Sequence, residues 1–198
     1  MNSYVLLAKK AVENYIRENK IISPPENLPK EFLKKKSGTF VTIEKELKGL
    51  PCSEPKVLLR GCIGTYLPTK ENIAEEIIHN AIAAATEDYR FGPIQKKELP
   101  YLSYTVYILN EPQLVKSLKE LDPQKCGIIV KTIPISPKGN VVFDGVLPHK
   151  SGLLLPDLEG VDTIEQQILI ACQKGGINLQ KEKIIIYRFT VEKYTQDD

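Results

Sequence analysis

Apolar residues recur at helical spacing in three stretches of the chain and alternate with polar ones in several others, so the pattern divides it into a mixed set of helices and strands. Val5, Ala8, Val12 and Tyr15 share one face of a helix predicted over residues 3–18, with Ser3 as its N-cap. Ile21-Ile22-Ser23-Pro24-Pro25 ends it, and Pro24, Pro25 and Pro29 hold an extended connector, because each ring fixes its own φ and disfavours helix in the preceding residue. Strands are predicted over 38–44, where Phe40 alternates with Thr42, and over 57–64, with a turn at Gly49-Leu50-Pro51 between them. Thr69, followed by Ile73, Ile77, Ala81 and Ala84, starts a long helix that reaches about Asp88. Further strands are predicted over 104–109, 127–133, 141–146 and 183–192, joined by loops such as Ser136-Pro137-Lys138-Gly139-Asn140. Thr163 with Gln166 forms the capping box of a last helix whose apolar face is Ile164, Ile168, Ala171 and Cys172 and which Gly175-Gly176 stops. Strands do not alternate strictly with helices, which favours an α+β fold over a doubly wound parallel sheet.

Length changes the picture only by bounding it. A chain of 198 residues has room for one domain with a full core and is short for two. Hydrophobic residues at 42% and charged residues at 26% exclude disordered, collagen-like and membrane-embedded classes. No uninterrupted apolar run exceeds five residues, against about 20 for a membrane helix. At the amino terminus Lys9 and Lys10 follow a short apolar patch, the reverse of a signal peptide's order, so a cytoplasmic location is expected. The formal charge of +2 divides into +5 for residues 1–60 and −3 for the remainder, which argues against nucleic acid as a partner. Its dense part, Lys30-Glu31-Phe32-Leu33-Lys34-Lys35-Lys36, reads as a solvated helix end in preference to an RNA or lipid contact.

Candidate chemistry is limited by two histidines and four cysteines. Cys52, Cys62, Cys126 and Cys172 form no Cys-x-x-Cys pair and have no neighbouring histidine, so no metal site, disulfide framework or cofactor is expected. The most unusual stretch is Arg60-Gly61-Cys62-Ile63-Gly64, which sets a permanent charge and two glycines in an apolar strand. In extended chain Arg60 and Cys62 share one face while Leu59, Gly61 and Ile63 share the other. A cation beside a thiol favours the nucleophilic thiolate, and Gly61 and Gly64 leave room for a ligand or for another backbone segment. The bland alternative is a buried Cys62, an Arg60 paired with a carboxylate and glycines at a bulge or crossing. Arg90 either clamps an anionic group or pairs with Glu87 or Asp88, and His149 is either a base held near a thiol or a solvated loop residue. His79 reads as structural or exposed, and Cys172 as core.

Leu59-Arg60-Gly61-Cys62-Ile63-Gly64 resembles the signature of the AMMECR family. The likeness continues through Gly38-Thr39-Phe40-Val41-Thr42-Ile43, Asp88-Tyr89-Arg90-Phe91, Ser151-Gly152-Leu153-Leu154-Leu155-Pro156 and Cys172-Gln173-Lys174-Gly175-Gly176. Tyr89 and Gly92 stand where the family usually has prolines, Asp157 where Gln or Glu is common, and a tryptophan often found before the last helix is missing. The resemblance implies a mainly antiparallel sheet flanked by helices in a larger lobe, a smaller lobe, and a cleft that the hexapeptide helps line. It also implies company, since similar prokaryotic members occur with a Memo-like protein and a radical SAM enzyme in the AmmeMemoRadiSam arrangement. It implies no reaction. Two functions are therefore expected in competition: a small-molecule or modified-group site at segment 60–64 with Cys62 as nucleophile and Arg60, Gly61, Gly64, Arg90 and His149 as binding residues, or a non-catalytic interaction module in which Cys62 is structural.

Overall fold

The structure is a computed structural model that describes residues 2–47, 56–133 and 150–196. The fold is α+β, and the chain forms two compact units: unit 1 runs to Leu109 and resumes at Glu192, and unit 2 is Asn110–Val191.

Unit 1 begins with α1 (Ser3–Glu18), whose N-cap is Asn2, one residue earlier than expected, because the Asn2 side chain accepts the Tyr4 amide. Asn19 ends the helix in the left-handed region, φ 55°. The basic stretch after the prolines is a short helix, α2 (Lys30–Lys34), held inward by the buried Phe32, whose ring stacks on Tyr4 at 4.0 Å. Strands β1 (Thr39–Leu47) and β2 (Lys56–Thr65) pair antiparallel and lead into α3 (Ile73–Thr86). A 3-10 turn (Lys96–Tyr101) then feeds β3 (Leu102–Leu109), which pairs antiparallel with the other edge of β1.

The start of α3 lies later than Thr69 for a specific reason. Glu76 is fully buried, and its carboxylate accepts the Thr69 and Lys70 amides at 2.7 and 2.8 Å and the Thr65 and Thr69 hydroxyls at 2.6 and 3.0 Å. These bonds wrap residues 65–70 around the carboxylate as a loop, and Asn72 becomes the cap, accepting the Glu75 amide. The core of unit 1 is the apolar stripe of α1 and α3 against one face of the sheet: Val5, Ala8 and Val12, Ile73, Ile77 and Ala81, and Val41, Ile43, Val106 and Ile108 are all closed to solvent.

Unit 2 contains β4 (Gln113–Leu114), β5 (Gly127–Thr132), β6 (Ser151–Leu154), α4 (Ile164–Lys174) and β7 (Ile184–Phe189). Its antiparallel sheet has the order β4-β7-β5-β6. The Thr163/Gln166 capping box is present, and α4 buries Ala171 and Cys172 against Ile128, Val130 and Leu154, where burial pushes the Cys172 thiol up. The strand expected over 183–192 is interrupted at Thr190. Its second part, β8 (Val191–Tyr194), joins the sheet of unit 1, whose order is β2-β1-β3-β8. The strand expected over 141–146, the loop at 136–140 and the turn at 49–51 lie outside the described residues. Among the described residues no helix is long and apolar enough to cross a membrane.

Candidate functional site

The register of β2 on β1 sets every side chain of the hexapeptide. Thr42 opposes Cys62 and Ile43 opposes Gly61, but Glu44 opposes Leu59, so Arg60 is the extra residue of a β-bulge. Simple alternation, which puts Arg60 beside Cys62 and Leu59 opposite, therefore fails at this point. Partners across a ladder share a face. Gly61 thus faces inward with Ile43, while Cys62 and Leu59 face outward with Thr42 and Glu44, away from α1 and α3.

Arg60 reaches Glu98 and so lies with Lys45, which has the inward parity of Val41 and Ile43. Its Nε and Nη2 donate to the two Glu98 oxygens at 3.0 and 3.1 Å, Nη1 donates to the Gly92 carbonyl at 2.9 Å, and Nη2 donates to the Pro93 carbonyl at 3.2 Å. The side chain is 14% exposed and fastens residues 92–98 to the bulge. Arg60 above all, with Lys45 at 3.0 Å, holds the Glu98 carboxyl down at about 2 against the opposing effect of burial. Gly61 is required by packing, since a Cβ there would run into the Ala84 carbonyl of α3. At Gly64 it would run into Phe40 and the Thr39 carbonyl. In both places the room taken is for the protein's own chain.

Cys62 keeps a different set of partners. Its backbone N–H donates to Asp88 Oδ2 at 2.9 Å, just beyond the end of α3. Arg90 closes on the same carboxylate, with Nη2 donating to Oδ2 at 2.7 Å and Nε to Oδ1 at 2.9 Å. Asp88 is 5% exposed, and the bond from Arg90 holds its carboxyl at about 2 in spite of burial. The Arg90 guanidinium is pushed up, chiefly by its bond to Asp88. Arg90, and not Arg60, therefore shares a carboxylate with the Cys62 backbone. The thiol is half-buried, and the Thr42 hydroxyl donates to Sγ at 3.3 Å. Cys62, Thr42 and Thr105 form a row across three strands, because Thr42 opposes both of the others. The neighbouring row holds Glu44 opposite Ser103, and the row on the other side holds Phe40 between Gly64 and Tyr107. This outward face carries a thiol, hydroxyls and a carboxylate, the groups of nucleophilic and hydrogen-bonding chemistry.

Of the residues singled out in the sequence, the structure brings Cys62 and Arg90 together and directs Arg60 elsewhere. His149 lies outside the described residues, as does Cys52. His79 is exposed on α3, and Cys126 is buried in unit 2. The pairing of Arg90 with Asp88 is the one the sequence offered, whereas Thr42, Thr105 and the bond from Asp88 to the Cys62 amide are what sequence reasoning missed. Thr42 had a signal in its alternation with Phe40, but its partner strands are fixed only by register.

A family model described as AMMECR1 matches residues 5–194. A protein of Thermotoga maritima is 46% identical over 191 residues, covering 96% of each chain. A protein of Clostridium acetobutylicum is 36% identical over 96% of this chain, which spans only 34% of that longer relative. The crystal structure of an uncharacterized protein from Pyrococcus horikoshii is similar with a TM-score of 0.76 and 30% identity, covering 96% of this chain and 88% of that one.

Proposed function

Because the chain belongs to the AMMECR1 family, we propose that it is the cytoplasmic member of a multi-part system with a Memo-like protein and a radical SAM enzyme, and that it acts there on a small molecule or modified group through Cys62. The observation that carries the chemical part is the position of the sulfur. It lies on the outward face of the sheet and receives the Thr42 hydroxyl at 3.3 Å, and the backbone that carries it is bound to the Asp88 carboxylate that Arg90 clamps. A hydrogen-bond donor and a cation both favour thiolate over thiol. Asp88 holds this arrangement together by binding the Cys62 amide and Arg90 with one carboxylate, so Arg90 and Asp88 are positioning residues. Arg60 contributes by tying the bulge to residues 92–98, and Gly61 and Gly64 by letting β2 pack against α3 and β1. The systemic part is supported by the Clostridium relative, in which a region like this chain is one portion of a longer protein, as fusion of cooperating components would produce.

Iodoacetamide alkylation of each cysteine, followed by mass spectrometry across pH 5–10, tests the chemical part. Cys62 is expected to react fastest and at lower pH than an ordinary thiol, and Thr42→Val and Arg90→Met each to slow it. A Cys62 that reacts no faster than a free model thiol would remove the nucleophile from the reading. The non-catalytic module is favoured by one observation, the exposure of Tyr89 (95%) and of Val57, Leu58 and Leu59 around the hexapeptide. It predicts that Cys62→Ser preserves both partner capture and function, whereas Tyr89→Ser with Leu58→Ser loses capture.

A further inference from the structure

Next to the Cys62 row, over the same outward face of unit 1, lies a cleft of about 670 Å³ lined by Glu44, Glu46, Val57, Ser103, Thr105 and Thr195 among others. That volume is in the range of small-molecule sites. Its lining includes two carboxylates and no basic side chain. Glu44 makes no ion pair or hydrogen bond through its side chain among the described residues, whereas Glu98, on the opposite side of the sheet, is engaged by Arg60 and Lys45.

Thr105 supplies a second and independent indication. The residue is 9% exposed, it lines the cleft, and its hydroxyl, with no hydrogen-bond partner among the described residues, is open to the cleft. Such a hydroxyl keeps its full hydrogen-bonding capacity for a group that enters the cleft. Its neighbours define what that is. Glu44 opposes Ser103, and Thr105 is two residues along β3 from Ser103, so Glu44 and Thr105 are diagonal neighbours on one face. Diagonal positions lie about 7–8 Å apart, within reach of one shared group. A carboxylate and two hydroxyls at neighbouring positions of one face, with a second carboxylate on the lining of the same cleft, offer acceptors and negative charge suited to the three donors and positive charge of an ammonium group.

We propose that this cleft binds the ammonium group of an aminoalkyl small molecule, which would make a primary amine the substrate class of the Cys62 face; the assignment of substrate rests on the reading of that face as reactive. Two strand spacings, about 10 Å, separate the Thr105 and Cys62 backbones. The reacting carbon therefore sits several bonds from the amine, toward the sulfur.

The test is a ¹⁵N–¹H NMR titration of the full chain with three probes of equal size: butylammonium, butanol and butyrate. Butylammonium is expected to shift the Glu44, Ser103 and Thr105 amides saturably at pH 7, and the neutral and anionic probes to leave them in place. Glu44→Gln and the near-isosteric Thr105→Val are each expected to weaken that binding by about fivefold or more, with the remaining resonances unmoved to certify the fold. Equal shifts by all three probes, no saturable shift by butylammonium, or unchanged binding in both variants would overturn the assignment even if Cys62 alkylates rapidly. Saturable ammonium binding retained in Cys62→Ser, beside a Cys62 that alkylates slowly in the natural chain, would uphold the cleft's ligand and overturn only the nucleophile.

Discussion

Replacing Glu98 by Gln tests whether the charge on the hexapeptide's arginine is spent on structure. The carboxyl, 10% exposed, accepts two hydrogen bonds from Arg60, one from Lys45 and one from the Gln95 amide. Its titration falls from the usual 4.5 to about 2, with Arg60 the largest favourable cause. A difference of about 2.5 units corresponds to about 3 kcal/mol of folding free energy. Because the folded-state value is the lower one, the unfolded chain takes up the proton first as pH falls. The contribution is therefore complete above about pH 4.5 and is lost as pH falls toward 2. Glu98→Gln should destabilise the protein by about 3 kcal/mol at pH 7 and by about half of that at pH 3. Urea unfolding followed by far-ultraviolet circular dichroism at pH 7, 5, 4 and 3, with the natural chain alongside, gives the difference at each pH. A penalty of the same size at pH 7 and pH 3 would refute the reasoning, since it would mean that shape, and not ionisation, is what the variant disturbs.

Gly61→Ala should lower stability by about 3 kcal/mol, a fall in Tm of roughly 10 °C, because the added Cβ meets the Ala84 carbonyl of α3, which a helix cannot easily move. Gly92→Ala, where a Cβ meets nothing within 4 Å but φ is +66°, should cost about 1 kcal/mol, and equal losses in the two variants would count against the packing account. Glu76→Gln should cost about 3 kcal/mol at pH 7, since an amide offers a donor where four donors converge. Burial pushes the Glu76 carboxyl up and the four bonds more than offset that, so its folded-state value is lowered and this penalty too should shrink as pH falls through the carboxylate range, read by the same urea titrations.

Much of the fold was legible because its cause is local. The Thr163/Gln166 box starts α4 and the stripe of Val5, Ala8 and Val12 faces the core, since capping and periodicity act within a few residues. Family likeness to the AMMECR1 proteins was legible in the hexapeptide and the segments around it. What was not legible came from partners far away in sequence. Thr69 has the chemistry of a cap, but Glu76 claims its amide and hydroxyl and moves the helix start to Asn72. Residues 183–192 have strand propensity throughout, yet nothing in that run states that Thr190 divides it between two sheets. The site suffered most. A period of two is a sound expectation for an extended strand, and one extra residue at Arg60 was enough to send the guanidinium inward and leave Cys62 with Thr42, Asp88 and Arg90. Bulges carry no reliable mark in a single sequence, because the residue left over is defined only by the strand it fails to match.

The division at Thr190 also bears on the order in which the molecule can assemble as it leaves the ribosome. Unit 2 is one uninterrupted stretch, Asn110–Val191, inserted between two strands that are neighbours in the sheet of unit 1. Unit 1 lacks strand β8 until the residues after the insertion have been made: the Tyr194 ring packs on Tyr4 at 4.7 Å, and Gln196 accepts the Tyr104 amide at 3.0 Å. Helix α1 thus waits for the whole of unit 2 to be made before its aromatic contacts are complete. The inserted unit, later in sequence, has all of its own strands beforehand, so synthesis runs from one end to the other while closure of the fold runs from the middle outward.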